Sequence, residues 1–246
     1  MNDLTPGTVV LVGGGPGDPD LMTVAGLRAI RQADVVLYDH LAPQEVLAEA
    51  RPDADLVPVG KWPGGPATPQ EDINGLLIRH ASAGRRVVRL KGGDNYVFGR
   101  GGEEWLACAE AGIPVRVIPG VTSAIAAPSL AGIPVTHRTL SQGFAVVSGH
   151  VAPDDPRSTV DWPALARAGV TLVILMGVHH LDAIAAALVA GGLAPATPAA
   201  VVTSACLPGM TVVRGTIADI AVRAREAGVR PPSITVVGAV AGLSLV

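Results

Sequence analysis

Apolar and polar residues follow one another along the chain in a pattern that predicts alternating strands and helices. Short, largely β-branched runs such as 8–12 and 115–118 have the length and composition of buried strands. Between them, longer stretches carry apolar residues three or four positions apart, as amphipathic helices do. This alternation predicts an α/β fold whose first half is a mostly parallel sheet covered by helices on both faces.

The predicted elements set a domain division as well as a fold class. In the first half we expect strands at 8–12, 34–38, 55–59, 86–90 and 115–118, and helices at 21–32, 43–50, 69–83 and 103–111. In the second half we expect strands at 144–148, 171–176, 199–203, 210–214 and 233–237, and helices after 177 and at 216–227. The later strands lie closer together, which favours some antiparallel pairing. We therefore predict two α/β domains, 1–136 and 137–246, with a hinge between Pro134 and Gln142.

Composition narrows the class of protein. The chain has 246 residues, of which 49% are hydrophobic and only 3% aromatic, so we expect a large aliphatic core. A formal charge of −3 gives no bulk electrostatic reason to expect nucleic acid or an anionic membrane as a partner. The uncharged stretch 183–213 is divided by glycines and prolines into pieces too short to cross a bilayer. With no signal-peptide pattern at the start, we expect a soluble, cytoplasmic protein.

Residues that could hold a metal do not form a recognisable ligand set. Cys108 and Cys206 are predicted to be small core residues, because two cysteines make neither a disulfide framework nor a metal cluster. His179 and His180 are adjacent, so on a helix their side chains point about 100° apart. We predict no metal site.

Two common nucleotide-binding motifs fail on single residues. The glycine-rich turn after the first strand has Asp18 or Asp20 where the dinucleotide fingerprint needs its third glycine. Gly60 and Lys61 suggest a phosphate loop, but Trp62 takes the position of the required serine or threonine. A nicotinamide oxidoreductase is therefore disfavoured.

The segment 91–104 is the strongest candidate for a ligand-binding loop. It joins the carboxyl end of a predicted strand to the amino end of a predicted helix, where α/β folds build their sites. An acid, two aromatic residues and two basic residues are placed among its glycines, which a plain surface turn does not require.

Several loops together resemble those of the tetrapyrrole (precorrin) methyltransferase family, whose members use S-adenosylmethionine. The resemblance covers nearly the whole chain, from Val12 to Val237. Each segment is a weak signal alone, but their shared order is specific. The segments are 13–19, 38–41, 60–61 with 69–71, 91–104, 119–123, 132–138, 148–150, 176–177 and 231–232.

The resemblance implies a fold, a cofactor and a reaction. We expect two α/β domains with a cofactor cleft between them, a homodimer, and S-adenosyl-L-methionine as methyl donor with S-adenosyl-L-homocysteine as product. The implied reaction is two successive methylations of uroporphyrinogen III, a small-molecule tetrapyrrole, to give precorrin-2. The alternatives are methylation of a later precorrin and a non-catalytic tetrapyrrole-binding relative. Whether the product feeds sirohaem, cobalamin or haem d1 stays open.

The resemblance also assigns cofactor contacts residue by residue. The positions that match are Pro16, Gly92, Gly93, Asp94, Val97, Thr122, Ser123, Met176 and Ala205. Glycine amides suit a carboxylate or an adenine edge, and Asp94 could accept from ribose hydroxyls or an ammonium group. The alternatives are a turn cap for Asp94, helix caps for Thr122 and Ser123, and a core position for Met176.

Catalytic and substrate-binding positions follow from the same resemblance. Asp39 and Lys61 match a proton acceptor and a proton donor, the alternatives being a helix-capping acid and a lysine paired with a propionate. A polyanionic substrate needs a basic lining, for which the candidates are Lys91, Arg100, His137 and Arg138. Each of these could instead be a solvated surface residue or pair with a helix end.

The chain departs from the family pattern in two places. Where members commonly read Gly-Gly-Asp-Pro-Phe, this chain has Asn95 and Tyr96 after Asp94. Where members often carry a His-Ser pair before Pro-Gln, it has Ala67 and Thr68. The first departure concerns the cofactor loop and the second the lining of the substrate entrance.

Overall fold

The computed structural model describes residues 3–60 and 68–243. The chain divides into two compact units, the first running up to Ser123 and the second beginning at Ala124. Each unit contains one five-stranded sheet. The predicted α/β class is confirmed.

All neighbouring strands of the first unit are parallel. Its strands are β1 (Val9–Gly13), β2 (Val35–Asp39), β3 (Asp55–Val59), β4 (Val87–Lys91) and β5 (Val115–Ile118). Their order in the sheet is β3-β2-β4-β1-β5, with every pairing parallel, as predicted. The carboxyl ends of all five strands therefore meet at one edge of the sheet, here termed the first carboxyl edge.

Helices pack on both faces of this sheet because its strands present apolar residues on both sides. The helices are α1 (Val24–Gln32), α2 (Gln70–Ser82) and α3 (Gly101–Glu110), with short 3-10 helices at Pro19–Leu21 and Gln44–Glu49. Ile30 of α1 joins one core cluster with Val10 and Val88, whereas Leu77 of α2 joins another with Leu11. Adjacent residues of a strand thus point into different cores.

The second unit has a mixed sheet. Its elements are α4 (Ser123–Leu130), β6 (Phe144–Ser148), α5 (Trp162–Arg167), β7 (Thr171–Leu175), α6 (Leu181–Ala190), β8 (Pro198–Thr203), β9 (Thr211–Thr216), α7 (Ile220–Glu226) and β10 (Ser233–Val237), with 3-10 helices at Val178–His180 and Ala239–Gly242. The order is β6-β7-β10-β8-β9, with β6 and β7 parallel and the other pairs antiparallel. Strands β7 and β8 both oppose β10, so the carboxyl ends of β6, β7 and β8 share one edge, the second carboxyl edge.

The division between the units comes earlier than the predicted boundary at 136/137. Ala124, Ala127 and Ile133, in α4 and the turn after it, lie in a core cluster with residues of the second sheet. Arg214 of β9 also donates from Nη2 to the Ala131 carbonyl at 2.9 Å. The sequence changes character near Thr136, but an alanine-rich helix carries no local signal of which sheet it will cover.

Helix α5 was not predicted. The Asp161 carboxylate accepts a hydrogen bond from the Ala164 amide at 2.9 Å, and Pro163 occupies the first turn. Trp162 is only 1% exposed, so it anchors the helix in the core. An N-capping acid followed two residues later by proline was the available signal.

Composition predicted that both cysteines are core residues and that no stretch of the chain crosses a membrane. Cys108 is fully buried, as expected of a core residue, and burial raises the pKa of its thiol to about 11. Cys206 is half-buried. Within residues 3–60 and 68–243, no helix is both long enough and apolar enough to span a membrane.

Candidate functional site

Gly13 and Gly120 allow the loops after β1, β4 and β5 to meet at the first carboxyl edge. A Cβ added to Gly120 would lie 2.2 Å from the carbonyl oxygen of Gly93, and one added to Gly13 would lie 2.4 Å from the Gly120 nitrogen. Both distances are far below van der Waals contact. Backbone approaches backbone here, and only glycine permits it.

Hydrogen bonds join the predicted cofactor loops to one another. Gly93 donates to the Gly15 carbonyl at 2.6 Å, and Gly15 donates back to the Gly93 carbonyl at 3.1 Å. Pro16 follows directly and is partly buried. A Cβ on Gly92 would come within 2.8 Å of the Leu41 carbonyl, so the loop after β2 packs here too. The fold thus brings together Pro16, Gly92 and Gly93, which are far apart in sequence.

Asp94 holds this arrangement through both carboxylate oxygens. Its Oδ1 accepts from the Tyr96 amide at 2.9 Å, and its Oδ2 accepts from the Gly120 amide at 3.0 Å. The turn-capping alternative therefore describes a contact that is present. An ionised carboxylate has further lone pairs, and a cofactor contact by Asp94 stays a prediction. Val97, in the same loop, is partly buried.

Asn95 fastens the loop to two strands. It is fully buried, and its Nδ2 donates to the carbonyl of Ile118 at 2.8 Å and to that of Leu11 at 3.4 Å. The backbone carbonyl of Asn95 accepts a hydrogen bond from the amide of Gly101, the first residue of α3, at 3.0 Å. The departure from the family's proline thus supplies a side-chain anchor that proline lacks. In sequence, an asparagine among glycines only suggests a turn.

Thr122 and Ser123 lie at the start of α4, where helix caps were the alternative to cofactor contacts. Within 3–60 and 68–243, a Cβ placed on Gly93 would meet only the Ser123 nitrogen within 4 Å, at 3.9 Å. The first amide of α4 therefore borders open space beside Gly93. Amide groups at a helix start suit an anionic or polar group.

Asp39, the predicted proton acceptor, ends β2 at the same edge. Its Oδ1 accepts from Arg89 Nη2 at 2.5 Å, and its Oδ2 lies 3.8 Å from Lys91 Nζ. The side chain is 27% exposed, so it can be reached from solvent. Among the described residues no side chain caps the 3-10 helix Gln44–Glu49 that follows, so Asp39 pairs with cations and does not cap it.

The burial of Lys91 corrects the picture of an exposed cation that binds substrate carboxylates. Its side chain is 4% exposed, and its Nζ lies 2.9 Å from Oε1 of the fully buried Glu104. Alternating strand residues put Arg89 and Lys91 on the face that α3 covers, where Glu104 meets them. Burial and then the Arg89 charge lower the pKa of Lys91, although Glu104 and Asp39 favour its charged form.

Lys61, the predicted proton donor, lies outside the described residues, as does Ala67. Gly60, the last described residue before that gap, has a φ of +83°. A Cβ on Gly60 would lie 3.1 Å from Asp39 Oδ1, so the chain leaving β3 passes beside the acid.

Arg100 is an exposed cation at the start of α3. Its backbone has a φ of 57°, and its Nη2 lies 2.6 Å from Oε2 of Glu103. This pairing with Glu103 raises the pKa of Arg100. Both side chains are more than half exposed, so Arg100 remains accessible to an incoming carboxylate.

His137 and Arg138 belong to a tight turn of the second unit. His137 and Ser141 exchange backbone hydrogen bonds of 2.8 and 2.9 Å. The Thr139 amide donates to His137 Nδ1 at 3.3 Å, so the neutral ring carries its proton on Nε2. A shallow depression of about 330 Å³ is lined by Thr136, His137, Arg138, Ser141 and Gln142.

Met176 and Ala205 both lie at the second carboxyl edge. Met176 follows β7 with a φ of 58°, and Ala205 lies between Ser204 (φ 50°) and Cys206 (φ 66°), just after β8. The Ser204 amide donates to the Pro232 carbonyl at 2.9 Å, which ties this turn to the start of β10. Left-handed conformations are uncommon outside glycine and gather at functional sites.

The sequence profile of the tetrapyrrole (corrin/porphyrin) methylases matches residues 8–221. The chain belongs to this family. The matched region contains every residue predicted to act in the site, from Pro16 to Ala205, and the predicted family is therefore confirmed.

Individual relatives agree with the family match. The uroporphyrinogen-III C-methyltransferase of Methanocaldococcus jannaschii is 47% identical over 235 residues, which is 95% of this chain and 96% of that protein. A siroheme synthase of Neisseria meningitidis is 48% identical over 96% of this chain, but the chain spans only 48% of that longer protein. The crystal structure of uroporphyrin-III C-methyltransferase from Thermus thermophilus, complexed with S-adenosyl homocysteine, has a TM-score of 0.79 at 43% identity. The match covers 95% of this chain and 98% of the chain in that crystal structure.

Sequence reasoning missed Arg89 and Glu104, which hold Asp39 and Lys91. A signal was present, because Arg89 stands between the apolar residues Val88 and Leu90 inside a predicted strand, and a buried charge needs a partner. It also left Gly13 and Gly120 without a role. No local pattern identifies which glycines will face one another in the fold.

Proposed function

We propose that this protein is an S-adenosylmethionine-dependent C-methyltransferase that converts uroporphyrinogen III into precorrin-2 by two successive methylations. The observation that carries the proposal is the convergence of the glycine-rich loops after β1, β4 and β5 with Asp39 at the first carboxyl edge. The choice of substrate is supported by the 47% identity to a uroporphyrinogen-III C-methyltransferase.

The residues at this edge fit the proposed cofactor. S-adenosylmethionine supplies a methyl group on a cationic sulfonium. The open space beside Gly93, bordered by the Ser123 amide, suits its carboxylate. Asp94 has lone pairs left to accept from hydroxyl or ammonium groups. Met176, Ala205, Val97 and Thr122 are proposed as further contacts on the family resemblance.

Asp39 is proposed to accept the proton that the macrocycle loses after it is methylated. Arg89 occupies its Oδ1 at 2.5 Å, whereas Oδ2 has, among the residues that the structure describes, only the more distant Lys91 ammonium at 3.8 Å. Oδ2 is therefore the oxygen that takes the proton. Precise placement of substrate against the methyl donor supplies the rest of the rate enhancement, because a pyrrole carbon is already nucleophilic.

The substrate's carboxylates are proposed to be bound by exposed cationic and polar groups. Arg100 offers a guanidinium for bidentate binding, and Arg138 beside His137 Nε2–H offers a second position. Lys61 is kept as the proposed proton donor, or as a partner of a propionate. A cytoplasmic homodimer is proposed on the family resemblance.

The proposed reaction is tested by methyl transfer from labelled S-adenosylmethionine to freshly made, anaerobic uroporphyrinogen III. Mass spectrometry should show the tetrapyrrole gaining two methyl groups through a monomethylated intermediate. A protein that binds the cofactor but leaves uroporphyrinogen III unchanged would contradict the proposal, and later precorrins would then be tried.

The role of Asp39 is tested by Asp39→Asn. We expect turnover to fall by about 100-fold, which is typical for loss of a positioned acid or base. Calorimetric affinity for S-adenosylhomocysteine should be unchanged, because the cofactor loops do not use the Asp39 carboxylate. Wild-type turnover in this variant would rule out Asp39 as an essential proton acceptor.

A further inference from the structure

Four charged side chains form a compact group beneath the first carboxyl edge, here termed the four-charge cluster. It consists of Asp39 from β2, Arg89 and Lys91 from β4, and Glu104 from α3. Arg89 and Glu104 are 2% and 0% exposed, whereas Asp39 is 27% exposed. The cluster is therefore buried at its Glu104 end and opens to solvent at Asp39.

Each cation of the cluster touches both anions. Arg89 Nε donates to Glu104 Oε1 at 2.9 Å while its Nη2 donates to Asp39 Oδ1 at 2.5 Å. Its Nη1 donates to the Leu90 carbonyl at 3.1 Å, which fixes the plane of the guanidinium. Lys91 Nζ makes a parallel link, 2.9 Å from Glu104 and 3.8 Å from Asp39. The position of Asp39 is thus set by cations that Glu104 holds.

Stability gives little reason for a carboxylate as deeply buried as Glu104. Buried ion pairs often stabilise a fold no better than apolar residues of similar volume, because desolvation cancels the attraction. Moreover, Glu104 Oε2 is buried without a hydrogen-bond partner among the described residues, which adds to the cost. A cost of this kind is expected where a residue serves function.

We propose that Glu104 is a positioning residue, which acts through Arg89 and Lys91 to hold the Asp39 carboxylate with Oδ1 bonded to Arg89 and with Oδ2, among the described residues, facing only the more distant Lys91 ammonium. The inference rests on the proposed function, in which Asp39 accepts a proton. Glu104 itself does not meet substrate, since it has no exposed surface.

The kinetic test is a double-mutant cycle of Glu104→Gln and Asp39→Asn in the full-length protein. Glu104→Gln keeps the shape and removes the charge, and it should lower kcat about tenfold, a coupling within the usual range for residues of one network. In the Asp39→Asn background it should lower kcat no further, because its effect passes through Asp39. The KM for S-adenosylmethionine should not change.

The matched control is Glu110→Gln, the same chemical change at an exposed position at the end of α3. It should leave kcat unchanged. Equal losses of kcat from Glu104→Gln with and without Asp39 would overturn the proposal, as would wild-type kcat in a folded Glu104→Gln protein. Both outcomes differ from failure of the proposed function, in which the wild-type protein itself transfers no methyl group.

A spectroscopic measurement that needs no activity completes the test. Carboxyl carbon NMR, assigned with Asp39→Asn, should show the Asp39 resonance displaced in Glu104→Gln and unmoved in Glu110→Gln, because only the first change releases the cations that hold the Asp39 carboxylate. An Asp39 resonance at the same position in both variants would overturn the proposal.

Discussion

The two carboxyl edges are built in different ways. At the first, the loops after β1, β4 and β5 interlock through glycine backbones, and a Cβ on Gly13 or Gly120 would overlap the neighbouring backbone. At the second, the turns after β7 and β8 use Met176, Ser204 and Cys206, which keep side chains although their backbones are left-handed.

The difference determines which substitutions each edge should tolerate. Where backbones interlock, any added atom has to move a strand end. Where a non-glycine residue takes a left-handed conformation, the cost is about 1–2 kcal/mol, and glycine would avoid it. The first edge should therefore be intolerant of larger residues and the second tolerant of smaller ones. Retained side chains at the second edge point to contacts that they make in function.

The largest expected effect on stability is that of Gly120→Ala. Its Cβ would overlap the Gly93 carbonyl at 2.2 Å, so strand ends must separate. We expect the free energy of unfolding to fall by about 3 kcal/mol, measured by urea denaturation. In Gly102→Ala the new Cβ meets no atom within 4 Å and lies in α3, so this control should be stabilised by about 0.5–1 kcal/mol. Similar effects of the two changes on the free energy of unfolding would contradict the view that the first carboxyl edge has no room for a side chain at Gly120.

Asn95→Ala should have the next largest effect. It removes the donor to the Ile118 and Leu11 carbonyls from a fully buried position. Loss of a buried hydrogen-bonding group predicts destabilisation of about 2 kcal/mol. Affinity for S-adenosylhomocysteine should fall as well, because Asn95 anchors the loop that holds Asp94, a proposed cofactor contact. Unchanged thermal and binding data would mean that the glycine contacts alone hold the loop.

Low pH should lower the stability of the edge of the first sheet opposite the first carboxyl edge, because ion pairs join the strand starts there. Asp34 bonds Arg86 and Arg51, and the hydrogen bond from Arg86 lowers its pKa to about 2 from 3.8. Because the folded-state pKa is depressed, the stabilisation is complete above about pH 4 and is lost as the pH falls through about 2. Allowing for solvent screening of a side chain that is 25% exposed, we expect about 1 kcal/mol.

The measurement is urea denaturation of wild type and Asp34→Asn between pH 7 and pH 2. The variant should be less stable at pH 7 and should lose less stability on acidification. Asp53→Asn is the control. Asp53 also pairs with Arg51, but its side chain is 68% exposed, so its removal should change the pH curve little. Parallel pH curves for wild type and Asp34→Asn would contradict the assignment.

The smallest effect on stability is expected for Met176→Gly. Relief of the left-handed strain is offset by the greater freedom of glycine in the unfolded chain, so the net change should be within about 0.5 kcal/mol. Affinity for S-adenosylhomocysteine should nevertheless fall, because Met176 is a proposed cofactor contact. A protein with unchanged affinity would assign the side chain no part in binding.

Much of the fold was predictable because strand signals are local. The strands at 55–59, 115–118, 144–148 and 233–237 have the predicted bounds. Helix α5 was missed although its capping signal was local, and the unit boundary was missed for a different reason. The residues of α4 are apolar whichever sheet they cover, so only packing assigns them to the second unit.

The candidate site was predictable as a set of loops, but not as a set of contacts. Motif order indicated the family and placed Asp39 and the glycine-rich segment 91–104 at strand ends. Lys91 was expected at the surface because sequence gives a residue's type and not its partner. Its partner Glu104 is 13 positions away and meets it only because α3 covers that face of β4.

The sequence by itself determined the α/β class, the order of most elements and the tetrapyrrole methylase family, since these depend on local periodicity and on motifs in a fixed order. The tertiary structure decided which glycines interlock, that Asn95 anchors a loop, and that Asp39 is held by a buried charge network. These are contacts between segments distant in sequence, and their energies depend on distance and burial, which appear only when the chain is folded.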